Sequence, residues 1–215
     1  SDSQYNTVGG TNAGDSFSGT DATNNTLIGY NAGTAITTGV QNTAYGSEAL
    51  SNITSGTEST VIGYKAGNQI NNGGKNTALG HSALENTTTG QQNVACGNRA
   101  LNAHTTGSYN VAVGSYCMSG GNITSQFNVG VGQAVMYNIT SATSNLVAGT
   151  YAGYSLTTGS NNTILGKGDT QGANNLTTGS NNILLGHLAA ASSATVSNEI
   201  TLGDSNITKF RIPGI

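Results

Sequence analysis

Short apolar runs recur along the chain at a nearly fixed interval, each ending in glycine and most opening with asparagine four residues earlier. The glycines are Gly10, Gly29, Gly46, Gly63, Gly80, Gly97, Gly114, Gly132, Gly149, Gly166, Gly186 and Gly203. They are separated by 19, 17, 17, 17, 17, 17, 18, 17, 17, 20 and 17 residues. Ten of the twelve runs carry the asparagine: Asn6, Asn25, Asn42, Asn76, Asn93, Asn110, Asn128, Asn145, Asn162 and Asn182, with Ser59 and Glu199 in the other two. Three residues past the glycine there is often alanine, as at Ala32, Ala49, Ala66 and Ala83. A turn such as Thr37-Thr38-Gly39 or Thr88-Thr89-Gly90 follows, so the unit reads N-T-A-I-G-x-x-A-L-x-x-x-T-T-G-x-x.

Seventeen residues are too few for a helical repeat unit of about 34 residues. They suit one coil of a parallel β-solenoid, with two strands of about five residues and two tight turns per coil. Thr, Val, Ile and Leu in the N-T-A-I segment favour strand, and glycine at the corners permits positive φ. The expectation is an all-β β-roll of about 12 coils (a 17-residue repeat). With rungs about 4.7–4.8 Å apart, the rod would be roughly 55 Å long. Identical side chains then line up. The column Asn25, Asn42, Asn76, Asn93, Asn110, Asn128, Asn145, Asn162 and Asn182 is the expected structural ladder, because stacked amides hydrogen-bond along the axis. The glycines Gly29, Gly46, Gly63, Gly80, Gly97 and Gly114 are its corners.

The two residues before the glycine are both apolar in most units: Leu27-Ile28, Val61-Ile62, Ala78-Leu79, Ala112-Val113 and Leu184-Leu185. Neighbouring strand residues point to opposite faces, so one lines the interior and the other makes an apolar strip outside. Such strips mark interaction surfaces, and a strand apolar on both faces is buried on both. The simplest partner is another copy of the chain around a shared axis, which predicts a homo-oligomer.

Composition sharpens this picture. Gly (32), Thr (31) and Asn (28) supply 91 of 215 residues. That bias suggests disorder until the regular apolar spacing is weighed against it. Only 7% of residues are charged, far below the usual quarter. Ladders explain the shortage, since one charge per rung in register would repel its copies. The net charge is −3, and only Lys65 and Lys75 fall in the first 80 residues, which excludes a general phosphate-backbone binder. No apolar run is long enough for a transmembrane span or a signal peptide, so membrane insertion is not expected. Ser1 in place of Met points to a fragment or a processed product.

The candidate chemistry is sparse, and no enzyme, metal site or cofactor is expected. The carboxylates are scattered, with no pair at an interpretable spacing. His81, His104 and His187 lack metal-ligand spacing. His81 and His187 do share one repeat position, where three copies could form a ring of imidazoles, although a surface or interface histidine is the plainer reading. Cys96 and Cys117 fall in different columns and read as small apolar residues, not a disulfide. Gly120-Gly121 is a corner, since no G-K-[ST] follows it. N-x-[ST] sequons begin at Asn24, Asn52, Asn86, Asn122, Asn138, Asn161, Asn175 and Asn206, and matter only in a eukaryotic secretory pathway. Adjacent threonines would point opposite ways in an extended chain, which disfavours an ice-binding T-x-T array. Tyr30, Tyr64, Tyr151 and Tyr154 are candidate glycan contacts, although tyrosine is also a common strand residue.

N-T-A-L-G at 76–80, N-V-A-V-G at 110–114 and N-T-I-L-G at 162–166 resemble the N-S-V-A-I-G-x-x-A/S coils of trimeric autotransporter adhesin heads. The longer unit at 80–90 and 97–107 is similar to the N-T-A-I-G-x-x-A-L repeats of phage and large-virus tail fibres. Residues 198–209 are similar to the stretch preceding the autocleaving intramolecular chaperone domain of tailspikes. The repeat resemblance covers about residues 5–190. It implies a left-handed β-roll, a homotrimer, and attachment of a virion-surface or other extracellular fibre to a host cell-surface glycan or protein. No catalytic residue is carried over. Alternatives are a bacterial trimeric adhesin head and, in another class, an ice-binding or purely structural solenoid. The implied division is a repeat body over 1–190 and a neck over 191–215. Ala189–Ser197 would be a small-residue linker, Pro213 would end any ladder, and Ile215 is either an expression boundary or a natural cut before a chaperone.

Overall fold

A computed structural model describes residues 4–18, 21–121, 123–169 and 175–211; Ser1, Asn122, Pro213 and Ile215 lie outside them. The described chain is an all-β parallel solenoid in which twelve rungs are joined by eleven turns. Each rung contributes one short strand: β1 (Thr7–Gly9), β2 (Thr26–Ile28), β3 (Thr43–Tyr45), β4 (Thr60–Ile62), β5 (Thr77–Leu79) and β6 (Val94–Cys96). The second half supplies β7 (Val111–Val113), β8 (Val129–Val131), β9 (Leu146–Ala148), β10 (Thr163–Leu165), β11 (Ile183–Leu185) and β12 (Ile200–Leu202). They form a single sheet in chain order, parallel and in register by repeat position, as in Thr43↔Thr60 and Ala44↔Val61.

The coil has one strand of three residues, not two of five. The cause is a recurring left-handed backbone. The residue before the ladder asparagine has positive φ in rung after rung (Gln41, Tyr109, Phe127), as do residues six and eight past it (Glu48 and Leu50, Lys65, Arg99 and Leu101). These kinks end strands. They do not end rung-to-rung bonding: Glu48 N–H donates to Tyr30 O, Leu50 N–H to Ala66 O and Asn52 N–H to Asn68 O. The ladder therefore runs round the corners. Such φ values cost non-glycine residues of order 1 kcal/mol or more, and the stack on either side over-determines them.

The interior is a set of columns. The middle strand residue is buried (Leu27, Val61, Ala78, Ala112, Val147, Ile164, Leu184), as are the alanine and the following residue (Ala83 and Leu84, Ala100 and Leu101). A further column six residues before the next ladder position holds Ile36, Ile53, Ile70, Ile139, Leu156 and Leu176, all but fully buried. Full burial of a Leu or Ile is worth about 1.5–3 kcal/mol, so this column contributes as much to the core as the strand.

The asparagine ladder forms as expected. Asn93 donates through Nδ2 to Gly107 O (2.9 Å) and to Asn76 Oδ1 (3.2 Å). Its own Oδ1 accepts Asn110 N–H (3.0 Å) and Nδ2 (3.2 Å). The same set recurs at Asn25 and Asn145, and at Asn42 except that Ser59 offers Asn42 Oδ1 a backbone N–H alone; the ladder continues through Asn128, Asn162 and Asn182. The stack is tight at the corner, where a Cβ on Gly80 (φ +140) would lie 2.5 Å from Gly97 O.

Residues 191–202 carry the solenoid a turn further than 190. Ala194 O accepts Thr177 N–H, Ser197 Oγ accepts Ser180 N–H, and β12 pairs with β11. Glu199 stands in the ladder position of this last rung. Its carboxylate takes Ser192 N–H, Ser192 Oγ and Thr201 Oγ1, and these bonds hold it below the usual carboxylate pKa range. Thr201 sits where every earlier rung points an apolar residue or glycine inward.

Candidate binding surface

The first and third residues of each strand face out and form two columns on a single face. The third-position column is Ile28, Tyr45, Ile62, Leu79, Cys96, Val113, Val131, Ala148, Leu165, Leu185 and Leu202; Leu79 is 49% and Val131 43% exposed. The first-position column changes character along the rod. It is Thr26, Thr43, Thr60 and Thr77 in β2 to β5, then Val94, Val111, Val129 and Leu146 in β6 to β9. From β6 to β9, then, both columns are apolar. Tyr109 and Phe127, stacked at 4.9 Å with planes 13° apart, stand in the adjoining left-handed column. At a rung spacing of about 4.8 Å and roughly 7 Å between columns, the doubly apolar stretch spans roughly 19 by 7 Å, and the third-position column continues it along the sheet; a contiguous apolar strip of this kind marks an interaction surface.

Cys96 belongs to this outward face, whereas Cys117 occupies the buried alanine column; both are free thiols. Burial pushes the Cys117 thiol up to about 12, so it stays protonated and inert.

The four candidate tyrosines do not form one site. Tyr30 and Tyr64 are exposed at the same repeat position, two rungs apart. Tyr64 lies against His81 (5.3 Å between centroids) and beneath the Lys65 ammonium (5.4 Å). Tyr151 and Tyr154 are half-buried and meet edge to face at 5.9 Å. Tyr154 also stacks on Tyr137 at 5.2 Å, with planes 4° apart. Stacked rings spend their faces on each other, which leaves edges and hydroxyls to solvent. Sequence reasoning missed Tyr137, although its 17-residue offset from Tyr154 places the two in one column.

The remaining polar groups are dispersed. His187 lies 3.8 Å from Asp204, beside an open hollow at the C-terminal end bordered by Leu188, Ala190 and Leu202. Lys65 pairs with Glu48 at 3.8 Å and Lys75 with Glu58 at 4.0 Å. Among the described residues, no three His, Cys, Asp or Glu side chains converge on a point. No helix among them is long and apolar enough to cross a membrane. Asn52, Asn86 and Asn138 share one repeat position, and Asn52 and Asn86 donate their side-chain amides to the backbone of the next rung. Those sequons therefore have a structural use.

Comparison of the chain with protein-family models, with curated proteins and with solved structures finds no match.

Proposed function

We propose that the chain is the rod of a homotrimeric fibre, viral or phage in origin, that holds attachment sites against a host cell-surface glycan or protein. The observation that carries this reading is the outward apolar face: the third-position column runs along the sheet, and over β6 to β9 an apolar first-position column joins it. Three copies packed about an axis along the rod would remove this face from water. A parallel arrangement brings Thr columns against Thr and Val columns against Val. An antiparallel one would bury threonine hydroxyls against Ile183 and Leu185. The rod's function is mechanical and multivalent: weak sites held in register gain avidity through effective concentration.

The test is the solution mass of the chain beside that of the double variant Val113→Asp, Val131→Asp, followed by binding of the assembled form to host cells and glycans. A trimer that the variant dissolves supports the assembly, and binding lost with assembly supports attachment. A monomeric parent chain overturns both. A second reading, a purely structural solenoid without a receptor, is favoured by one observation: Tyr137, Tyr151 and Tyr154 turn their rings onto one another. A trimer that binds no cell or glycan would establish it.

A further inference from the structure

The interior column of isoleucines and leucines is broken at two neighbouring rungs. Thr87 follows Ile70 and His104 follows Thr87, with Ile123 next along the stack; all four side chains are wholly buried. Thr87 Oγ1 and His104 Nδ1 are the two buried side-chain polar atoms that find no protein partner among the described residues. The other ring nitrogen is occupied, as His104 Nε2 lies 3.0 Å from Asn110 Nδ2 and 3.5 Å from Ser125 Oγ. Two orphaned polar atoms in successive rungs of one column are a conspicuous exception where buried polar groups are normally paired.

We infer that Thr87 and His104 enclose a binding site for one structural water, which joins Thr87 Oγ1 to His104 Nδ1 inside the solenoid. Three arguments converge. Side chains one rung apart hydrogen-bond directly elsewhere in the stack, yet Thr87 Oγ1 and His104 Nδ1 do not reach each other, and in adjacent rungs about 4.8 Å apart one bridging oxygen can bond both. Threonine lacks the terminal methyl of the isoleucine that fills this position in neighbouring rungs, and a water occupies about 30 Å³ in the liquid. Water and hydroxyl both donate and accept, so the bridge closes with either imidazole tautomer. This site is independent of the fibre reading, since it lies within one chain.

A crystal structure of the chain at a resolution that shows ordered water tests this directly. Density within hydrogen-bonding distance of both atoms supports the inference. An empty gap, or a direct Thr87–His104 contact, overturns it. A mutant cycle gives a second readout. Thr87→Ile fills the water's space and strands the imidazole, while His104→Ile strands the hydroxyl, so each lowers the melting midpoint by roughly 3–8 °C. The double variant restores an unbroken apolar column and melts at or above the parent. If the two losses simply add, the side chains share nothing and the inference fails.

Discussion

Replacing Asn93 in the ladder separates two roles of its side chain. In Asn93→Ala, Gly107 O loses its donor and Asn110 N–H loses its acceptor; each is a buried backbone group whose hydrogen bond comes from Asn93. Asn76 Oδ1 keeps the backbone N–H of residue 93, so two groups are stranded. At about 1–3 kcal/mol for each unsatisfied buried group, the loss is about 4 kcal/mol. For a chain of this length that lowers the melting midpoint by roughly 8–16 °C. Asn93→Asp keeps the shape and one acceptor but turns a donor nitrogen into an oxygen facing Gly107 O and Asn76 Oδ1. The buried carboxylate can relieve this only by taking a proton, so its folded pKa rises above the unfolded value. A raised acid pKa gives stability that is present at low pH and lost as pH rises through it. The variant should therefore sit furthest below the parent at pH 7 and approach it near pH 4. Thermal melts of parent, Ala and Asp chains at matched pH and protein concentration measure all of this. An alanine loss under about 0.5 kcal/mol, or an aspartate deficit that does not shrink with acid, would refute the ladder argument.

Three further outcomes follow from the same columns. Ser59 interrupts the ladder, and Ser59→Asn supplies donors for Asn42 Oδ1 and the neighbouring turn carbonyl; the melting midpoint should rise by roughly 2–4 °C. Gly80→Ala forces a Cβ against Gly97 O at a φ that L residues avoid, so limited proteolysis should cut the chain near residues 80–97 far faster than in the parent. Burial holds the His104 imidazole neutral, its pKa pushed from 6.5 down to about 3. A depressed histidine pKa contributes stability above pH 6.5 that is lost as pH falls toward 3. Denaturant unfolding should lose about 1.4 kcal/mol per pH unit across that window, and His104→Ile should remove that dependence; an unchanged slope would assign the acid sensitivity elsewhere.

The period, the parallel stacking, the asparagine ladder and the inward and outward strand columns were legible because each depends on one position repeating at a fixed offset. The interior column of Ile36, Ile53, Ile70 and Leu156 was not. It sits beside the Thr-Thr-Gly turn, and turn residues draw attention to punctuation more than to burial. The single short strand was also hidden, because left-handed Leu50, Leu101 and Met136 are residues no propensity scale assigns to that conformation. Their φ is imposed by the rungs above and below, and that is tertiary context. The small side chains at 189–197 read as a linker, yet small residues are also what a tight corner requires, as Ala189 and Ala191 in the core demonstrate. Aromatic pairing was half legible: Tyr64 and Tyr154 were singled out, but not that His81 and Tyr137 would cover them.

The claim on which the functional account depends is that the outward apolar face is an interchain seam. Light scattering on the 215-residue chain, whose mass is 21.5 kDa, tests it most directly. The account predicts a species of three chains at micromolar concentration, falling to one chain in Val113→Asp, Val131→Asp with the solenoid's circular dichroism unchanged. A parent chain that scatters as a single copy at every concentration would contradict it.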